Sequence, residues 1–410
     1  MNGASVHTDV LVIGGGPIGA VAARAAAEAG AAVSLIDRRP DLGRSSACTG
    51  LISPRTPSIL GIPPDCTVRE IRSITVYAPG GRTLDLDADH TKALVIDRSV
   101  VERALHRAAR AAGVDVQLGT EAVAVSEAGV LLQGDDMRWT VSAPVVIGAD
   151  GPHSRVSEWF GLPRPEQFVY GVQAVVDGID MPRPDRVEVF LGQTVAPGFF
   201  AWAVPAEGRT VRIGLGVVPG HDPAAHLDRL LEERFAGCRV IARTAGVIPV
   251  AAAPRTAADG VLLAGDAAGQ VKPLSGGGLY PGATCARIAG RIAADAAVSG
   301  RPSHLLSSYE SAWRSAVGRE IAFGRSIRRM AATVSDRDLD AVFAACDDPD
   351  LLAFLAEHGD IDRFHRLPDK LAHHPPLWGK VLRLVPFVAN AEVAGPSGGS
   401  PVAPTHETSL

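Results

Sequence analysis

Hydrophobic residues fall along this chain in two patterns. Four short runs are continuously apolar: Val10-Leu11-Val12-Ile13, Ala32-Val33-Ser34-Leu35-Ile36, Val145-Val146-Ile147-Gly148-Ala149 and Val261-Leu262-Leu263-Ala264. Runs of that kind predict parallel strands buried on both faces. Elsewhere apolar residues alternate with polar ones. Ile71, Ile74, Val76 and Tyr77 alternate between Arg69 and Leu86 around a Pro79-Gly80-Gly81 turn, and residues 168–218 are rich in β-branched and aromatic residues with turns at Gly192 and Pro197-Gly198. These stretches predict an antiparallel sheet. Helices are predicted over Ala20–Ala29, over Asp97–Ala112 with Val101, Leu105 and Ala108 on one face, over Leu279–Val298, and across 301–390. Short strands fill Val114–Leu118, Ala122–Val125 and Val130–Leu132.

The order of elements makes this an α/β chain whose nucleotide-type domain is interrupted by a sheet insertion. The expected division assigns 1–70, 94–162 and 247–300 to a discontinuous Rossmann-like domain and 71–93 with 163–246 to an inserted antiparallel-sheet substrate domain. It leaves 301–390 as a C-terminal helical segment and the Gly/Pro/Ser-rich 391–410 as a disordered tail.

Composition narrows the function. At 410 residues, with 46% hydrophobic and 21% charged, the chain is long enough for one large or two modest cores. A net charge of −5 gives no footprint for a nucleic-acid partner. The five cysteines are scattered and no histidines show ligand spacing, so neither a disulfide framework nor a metal site is expected. No uncharged apolar run reaches membrane-spanning length and no leader pattern precedes the first strand, so a cytoplasmic protein is expected.

Gly14-Gly15-Gly16-Pro17-Ile18-Gly19 matches GxGxxG between a strand and a helix, and Asp37 closes the next strand. In that context Gly14 makes the turn, Gly16 lets backbone approach a pyrophosphate, Gly19 lets the helix pack closely, and Asp37 accepts from a ribose hydroxyl. A second element, Gly265-Asp266 after a late strand followed by Pro273 and Gly276-Gly277-Gly278-Leu279 before a helix, looks like the flavin-binding segment of two-domain flavoproteins. Asp266 would hold the ribityl chain there, and the amides at Gly277–Leu279 would face the N1–C2=O edge of the flavin. Asp150-Gly151 is a third element of the same kind. Arg98, entering a helix after Ile96-Asp97, stands where such proteins contact FAD phosphates, and Ala122 stands where backbone meets adenine. Ile18, Arg38 and Thr49 complete the expected cofactor contacts.

Two further segments narrow the match. Ala47-Cys48-Thr49-Gly50-Leu51-Ile52-Ser53 and Phe200-Ala201-Trp202-Ala203-Val204-Pro205 make the chain resemble the geranylgeranyl reductase family of the para-hydroxybenzoate-hydroxylase-like flavoproteins. The first looks like the cysteine loop beside the flavin in these reductases. The second is similar to their Tyr-x-Trp-x-Phe-Pro signature, departing from it at Phe200 and Val204, which leaves the substrate open. The resemblance implies FAD, reduction of isoprenoid C=C bonds, and hydride delivery to one alkene carbon with a proton to the other. Cys48 and Tyr280 are the candidate proton donors. Phe199, Phe200, Trp202 and Pro205 would form the substrate wall, since a polyprenyl chain offers little but apolar area to recognise.

The residues keep alternatives open. Cys48 also reads as a small buried hydrophobe, Tyr280 as a ring packed at a helix start, and the aromatics as core. A flavin monooxygenase acting on a cyclic or terpenoid molecule would share all three FAD elements, although Gly269 and Gly277-Gly278-Leu279-Tyr280 stand where those enzymes usually carry histidine and asparagine. With no second nucleotide fold, electrons would come from NAD(P)H docking transiently or from a ferredoxin-type donor protein. Arg363–Val388, which mixes Phe364, Leu367, Leu377, Trp378 and Phe387 with Arg366, Lys370, Lys380 and Arg383, reads as a cap on the substrate domain or as a peripheral membrane contact.

Overall fold

The computed structural model describes residues 6–41, 48–135, 137–300 and 305–381. The predicted tail at 391–410, Ala47 of the cysteine loop, and Arg383 and Phe387 of the C-terminal stretch lie outside the described residues.

The continuously apolar runs assemble into one six-stranded sheet. Its order is Ala257–Ala258, Val261–Leu263, Val145–Gly148, Val10–Ile13, Val33–Asp37, Asp115–Leu118, and all neighbours are parallel except the outermost pair, Ala257–Ala258 with Val261–Leu263. Val10, Leu11, Val12 and Leu262 are wholly buried, because both sheet faces are covered. On one face lie the helices Pro17–Glu28, Arg98–Ala111 and Leu279–Ser299. The first and last of these are Ala- and Gly-rich where they meet, and a Cβ at Gly290 would overlap the Ala22 carbonyl, so small residues set their close approach. On the other face a four-stranded sheet, ordered Val6–His7, Arg138–Ser142, Gly129–Gln133, Glu121–Ser126, buries Leu132 and Val141 against Leu11 and Ile36.

The alternating stretches form a seven-stranded sheet, ordered Arg239–Pro249, Phe168–Asp177, Val211–Val217, Ala201–Pro205, Arg186–Phe190, Ser73–Tyr77, Thr83–Asp87. It is antiparallel apart from one parallel pair, Arg186–Phe190 with Ser73–Tyr77. Those two strands come from separate insertions more than a hundred residues apart, so no hairpin dictates their direction. Along Ala201–Pro205 the period of two is plain. Ala201 and Ala203 join the core under the helix Pro223–Arg234, while Trp202 and Val204 turn to the opposite face. A three-stranded antiparallel sheet, Leu51–Ile52, Ala93–Ile96 and Thr67–Ile71, bridges the two large sheets.

From residue 308 the chain is helical, with Ser308–Trp313 running through a π turn, Arg314–Gly318, into Arg319–Ala331, followed by Asp336–Cys346, Pro349–His358, Leu367–Ala372 and Pro375–Val381. Among the described residues no helix is long and apolar enough to cross a membrane.

Candidate cofactor and substrate site

The first glycine turn is built for a close approach. Gly14 has φ +105°, and a Cβ there would overlap the Ala149 carbonyl, so both conformation and space demand glycine. A Cβ at Gly19 would overlap the Gly14 carbonyl, which fixes how tightly the helix seats on the turn. Gly16 is different. Among the described residues a Cβ there would meet nothing within 4 Å, which leaves open space directly before the helix N-terminus, and no side chain caps the first amides.

Asp37 braces this turn from the neighbouring strand. Its Oδ2 accepts from the Gly15 N–H at 2.8 Å and from Arg39 Nη2 at 2.9 Å, and its Oδ1 accepts from Arg39 N and Nε. Burial pushes this carboxyl up, but Arg39 and the Gly15 amide more than offset it, and the net shift is downward. His106 Nε2 donates to the Gly15 carbonyl at 2.6 Å, and buried Glu102 joins Arg39 to Arg98, at 3.4 and 2.9 Å. Arg39, Glu102 and His106 were not among the residues expected from sequence. A signal existed: Arg98, Glu102 and His106 recur every fourth residue on one helix, a polar stripe beside Val101 and Leu105. Arg38 itself is exposed.

The second element is held from behind. The Gly265 N–H donates to Gln270 Oε1 at 2.9 Å, Gln270 Nε2 donates to the Tyr309 hydroxyl at 3.0 Å, and that hydroxyl donates to the Leu263 carbonyl at 3.0 Å. The Ile18 side chain packs against Gly265 and Gly282, so it joins the first glycine turn to this one. The 21-residue helix Leu279–Ser299 starts from Gly278 with no side-chain cap, leaving its first N–H groups free to meet an electron-rich edge. At the third element Asp150 Oδ2 accepts from the Arg155 and Val156 amides, while among the described residues its buried Oδ1 and the buried Arg98 Nε have no partner. Open space at Gly16, two uncapped helix starts and two orphaned polar atoms are what a bound dinucleotide would satisfy, and the residues fit FAD.

A cavity of about 880 Å³ opens beside these elements. Its wall brings together Gly16, Ile18, Cys48, Thr49, Arg98, Asp266, Gly276–Tyr280, Phe199, Phe200 and Trp202. Gly14, Gly19, Asp37, Arg38, Ala122, Asp150, Pro273 and Pro205 are not in that wall. Ala122 is buried in the four-stranded sheet, Pro273 packs on Gly324, and Pro205 is buried at a strand end. Phe199 and Phe200 stack at 4.3 Å between ring centroids, Trp202 meets Phe200 edge-on at 5.8 Å, and Trp202 Nε1 donates to Gln173 Oε1 at 3.3 Å. Near Cys48, Arg212 Nη1 donates to the Thr49 carbonyl at 2.6 Å, and Arg98 stands in the same wall. Burial opposes the charge on Arg98, but Cys48 and Glu102 hold its pKa above the usual value.

Two wall residues had no sequence signal, because their pairing spans ninety positions. Lys272 Nζ donates to Asp362 Oδ1 at 2.7 Å and to the Ile361 carbonyl at 2.8 Å, which ties the C-terminal helical segment to the loop before the glycine cluster. Arg55 pairs with Asp360 at 2.8 Å alongside. Away from this site, Asp89, His90 and Glu357 bring ligand-type atoms within 4.8 Å of one another at the surface, all exposed.

Desolvation pushes the Asp266 carboxyl up to about 6, with Arg98 pulling it back down. Without cofactor, ionising Asp266 therefore costs folding stability. This group's contribution is fully present below its usual 3.8 and is lost as pH rises through about 6. That rise corresponds to about 3 kcal/mol at most. Flavin-free Asp266→Asn is expected to melt about 1–4 °C above the flavin-free wild type at pH 8, with the gap closing toward pH 4. A gap independent of pH in thermal melts would remove the desolvation account.

The chain matches the FAD binding domain family model over residues 7–323. It is 35% identical over 360 residues to digeranylgeranylglycerophospholipid reductase 2 of Methanothermobacter thermautotrophicus, covering 84% of this chain and 92% of that one. It is 33% identical over 367 residues to the digeranylgeranylglycerophospholipid reductase of Methanothrix thermoacetophila, covering 84% and 93%. Among solved structures, a geranylgeranyl bacteriochlorophyll reductase-like protein of Thermoplasma acidophilum superimposes with a TM-score of 0.82 at 24% identity, covering 94% of this chain and 100% of that one, and so shares the fold. The glycine turns, the orphaned polar atoms and these relationships converge: the chain belongs to the family of FAD-binding flavoproteins that includes the digeranylgeranylglycerophospholipid reductases, and it is an FAD-dependent oxidoreductase.

Proposed function

We propose that this protein saturates C=C bonds of an isoprenoid lipid of the kind named in its relatives, a geranylgeranyl or polyprenyl chain. The observation that carries the reading is the apolar cavity that opens directly from the cofactor elements. Trp202, Val187, Val189 and Val204 line it from the seven-stranded sheet, Phe199 and Phe200 from the loop leading into the strand Ala201–Pro205, and Leu355, Phe364 and Leu367 from the C-terminal segment. Bound FAD, once reduced, would supply the hydride.

The rest falls to the chain itself. Residues 1–70, 94–162 and 247–300 hold the cofactor, and 71–93 with 163–246 hold the substrate. The aromatic wall excludes water and aligns the chain, since apolar contact is the only handle an unfunctionalised alkene offers. An isolated double bond has no carbonyl to absorb charge, so a proton must reach the second carbon from a group in the wall. The Cys48 Sγ and Tyr280 Oη atoms are the donors assigned. Phe364 and Leu367 line the cavity, which supports the cap reading of their segment, and exposed Trp378 on the same segment is the residue that would meet a membrane surface. Electrons arrive from NAD(P)H or a ferredoxin-type donor.

The test is anaerobic. Purified protein is reduced with dithionite and given geranylgeranyl diphosphate or extracted polyprenyl lipids, and product masses are taken. Gains of about 2 Da per reduced bond are expected. Unchanged lipids, with a gain of about 16 Da on a cyclic substrate when NAD(P)H and air are supplied, would instead make the protein a monooxygenase.

A further inference from the structure

Lys272 is the residue on which the glycine cluster closes. Its carbonyl accepts from the Gly276 N–H at 2.9 Å, and its own N–H donates to the Gly277 carbonyl at 3.2 Å. The side chain then folds back over the loop, so that a Cβ at Gly277 would stand 2.8 Å from Lys272 Cε and 3.2 Å from Nζ. The ammonium group is therefore buried against Gly277, in the wall of the large cavity and next to the uncapped start of the helix Leu279–Ser299. Its partners, Asp362 Oδ1 and the Ile361 carbonyl, both come from the C-terminal segment.

The pair is lopsided. The Asp362 side chain is wholly buried, yet its Oδ2 has no hydrogen-bond partner among the described residues and lies 3.8 Å from Arg55 Nη1. That arginine is itself held by both oxygens of Asp360, at 2.8 and 2.9 Å. As a fastening alone the Lys272–Asp362 pair contributes little, because desolvating two charges cancels most of their attraction. The half-exposed Arg55–Asp360 pair already fastens the same turn. What the buried pair adds is a fixed charge beside the amides of Gly277–Leu279, with its counter-charge supplied from another part of the chain.

A flavin that takes up two electrons and one proton, the proton at N5, carries one negative charge spread over its N1–C2=O edge. A cation fixed beside that edge favours the reduced form, and a carboxylate behind the cation counters it. We propose that Lys272 raises the reduction potential of the bound flavin and that Asp362 moderates it, so that the C-terminal segment sets how strongly the reduced protein drives its reaction. The inference rests on the reading that places the flavin N1–C2=O edge at Gly277–Leu279, and it is independent of the isoprenoid reading.

The experiment takes the full-length, FAD-loaded protein without substrate and reduces it anaerobically in equilibrium with a reference dye. Asp362→Asn is expected to raise the midpoint potential and Lys272→Met to lower it. Each shift corresponds to a roughly tenfold change in the ratio of reduced to oxidised flavin affinity, about 30 mV for two electrons. A merely structural pair would not produce opposite signs, so shifts of one sign, or none, overturn the proposal. Should Lys272→Met fail to fold because it strands a buried carboxylate, Lys272→Met/Asp362→Asn removes both charges. Its potential is expected below that of Asp362→Asn, and an equal value overturns the proposal. Reconstitution with 8-mercapto-FAD tests the placement separately, because its long-wavelength absorption grows when positive charge faces the N1–C2=O edge. A strong band in the wild type that is unchanged without Lys272 means the helix start alone faces the flavin, and the role of Lys272 falls while the placement stands. No band in the wild type removes the placement, and the proposal with it.

Discussion

Replacing Gly16 with alanine is expected to leave a folded protein without its flavin. Gly16 has φ −64°, a conformation any residue adopts, and a Cβ there meets no neighbouring atom within 4 Å. The fold therefore has no reason to reject a methyl group, and the lost backbone freedom of the unfolded chain even favours it, by about 0.4–1 kcal/mol. On the assignment proposed for this turn the space is the cofactor's, whose pyrophosphate would approach the backbone at this point. Thermal melting of the cofactor-free variant should match or slightly exceed that of the cofactor-free wild type, while FAD affinity falls by roughly 100-fold, the equivalent of about 3 kcal/mol. Gly14→Ala is the contrast. At φ +105° and in overlap with the Ala149 carbonyl, that methyl strains the fold itself, at a cost of about 2–5 kcal/mol. Should both variants lose stability alike, Gly16 would be a structural glycine and its assignment to the cofactor would be withdrawn.

Removing the thiol at position 48 is expected to do the reverse, with flavin retained and turnover lost. Cys48 stands in the cavity wall, receives the Gly50 N–H on its sulfur at 3.4 Å, and shares that wall with Arg98. None of the glycine turns depends on its side chain, so Cys48→Ala should bind FAD and accept electrons from dithionite as the wild type does. If its sulfur passes the proton to carbon, saturation of the alkene slows by about 10²–10⁴-fold, the usual worth of a positioned acid. Rapid-mixing measurement of flavin reoxidation by substrate separates that step from cofactor loading. Full activity in Cys48→Ala, with the loss appearing in Tyr280→Phe, would move the proton to the tyrosine hydroxyl.

How far these residues were legible depends on the range over which each acts. The glycine turns could be read because each answers a local demand: a positive φ at Gly14, free space at Gly16, a helix start after Gly278. The parallel strands could be read because burial on both faces removes polar residues from them. The polar stripe Arg98, Glu102, His106 was written in the sequence too, yet its meaning came only from Asp37 and Arg39, which it meets across the fold. The parallel pairing of Arg186–Phe190 with Ser73–Tyr77 had no local cause at all.

The sequence by itself therefore determined an FAD-binding α/β protein with an inserted sheet, through backbone requirements that operate within a few residues. Tertiary structure alone decided which aromatic faces meet the cofactor elements and how Lys272 finds Asp362. Those outcomes come from side-chain packing and charge pairing between segments far apart in the chain, and no periodicity or motif encodes such a meeting.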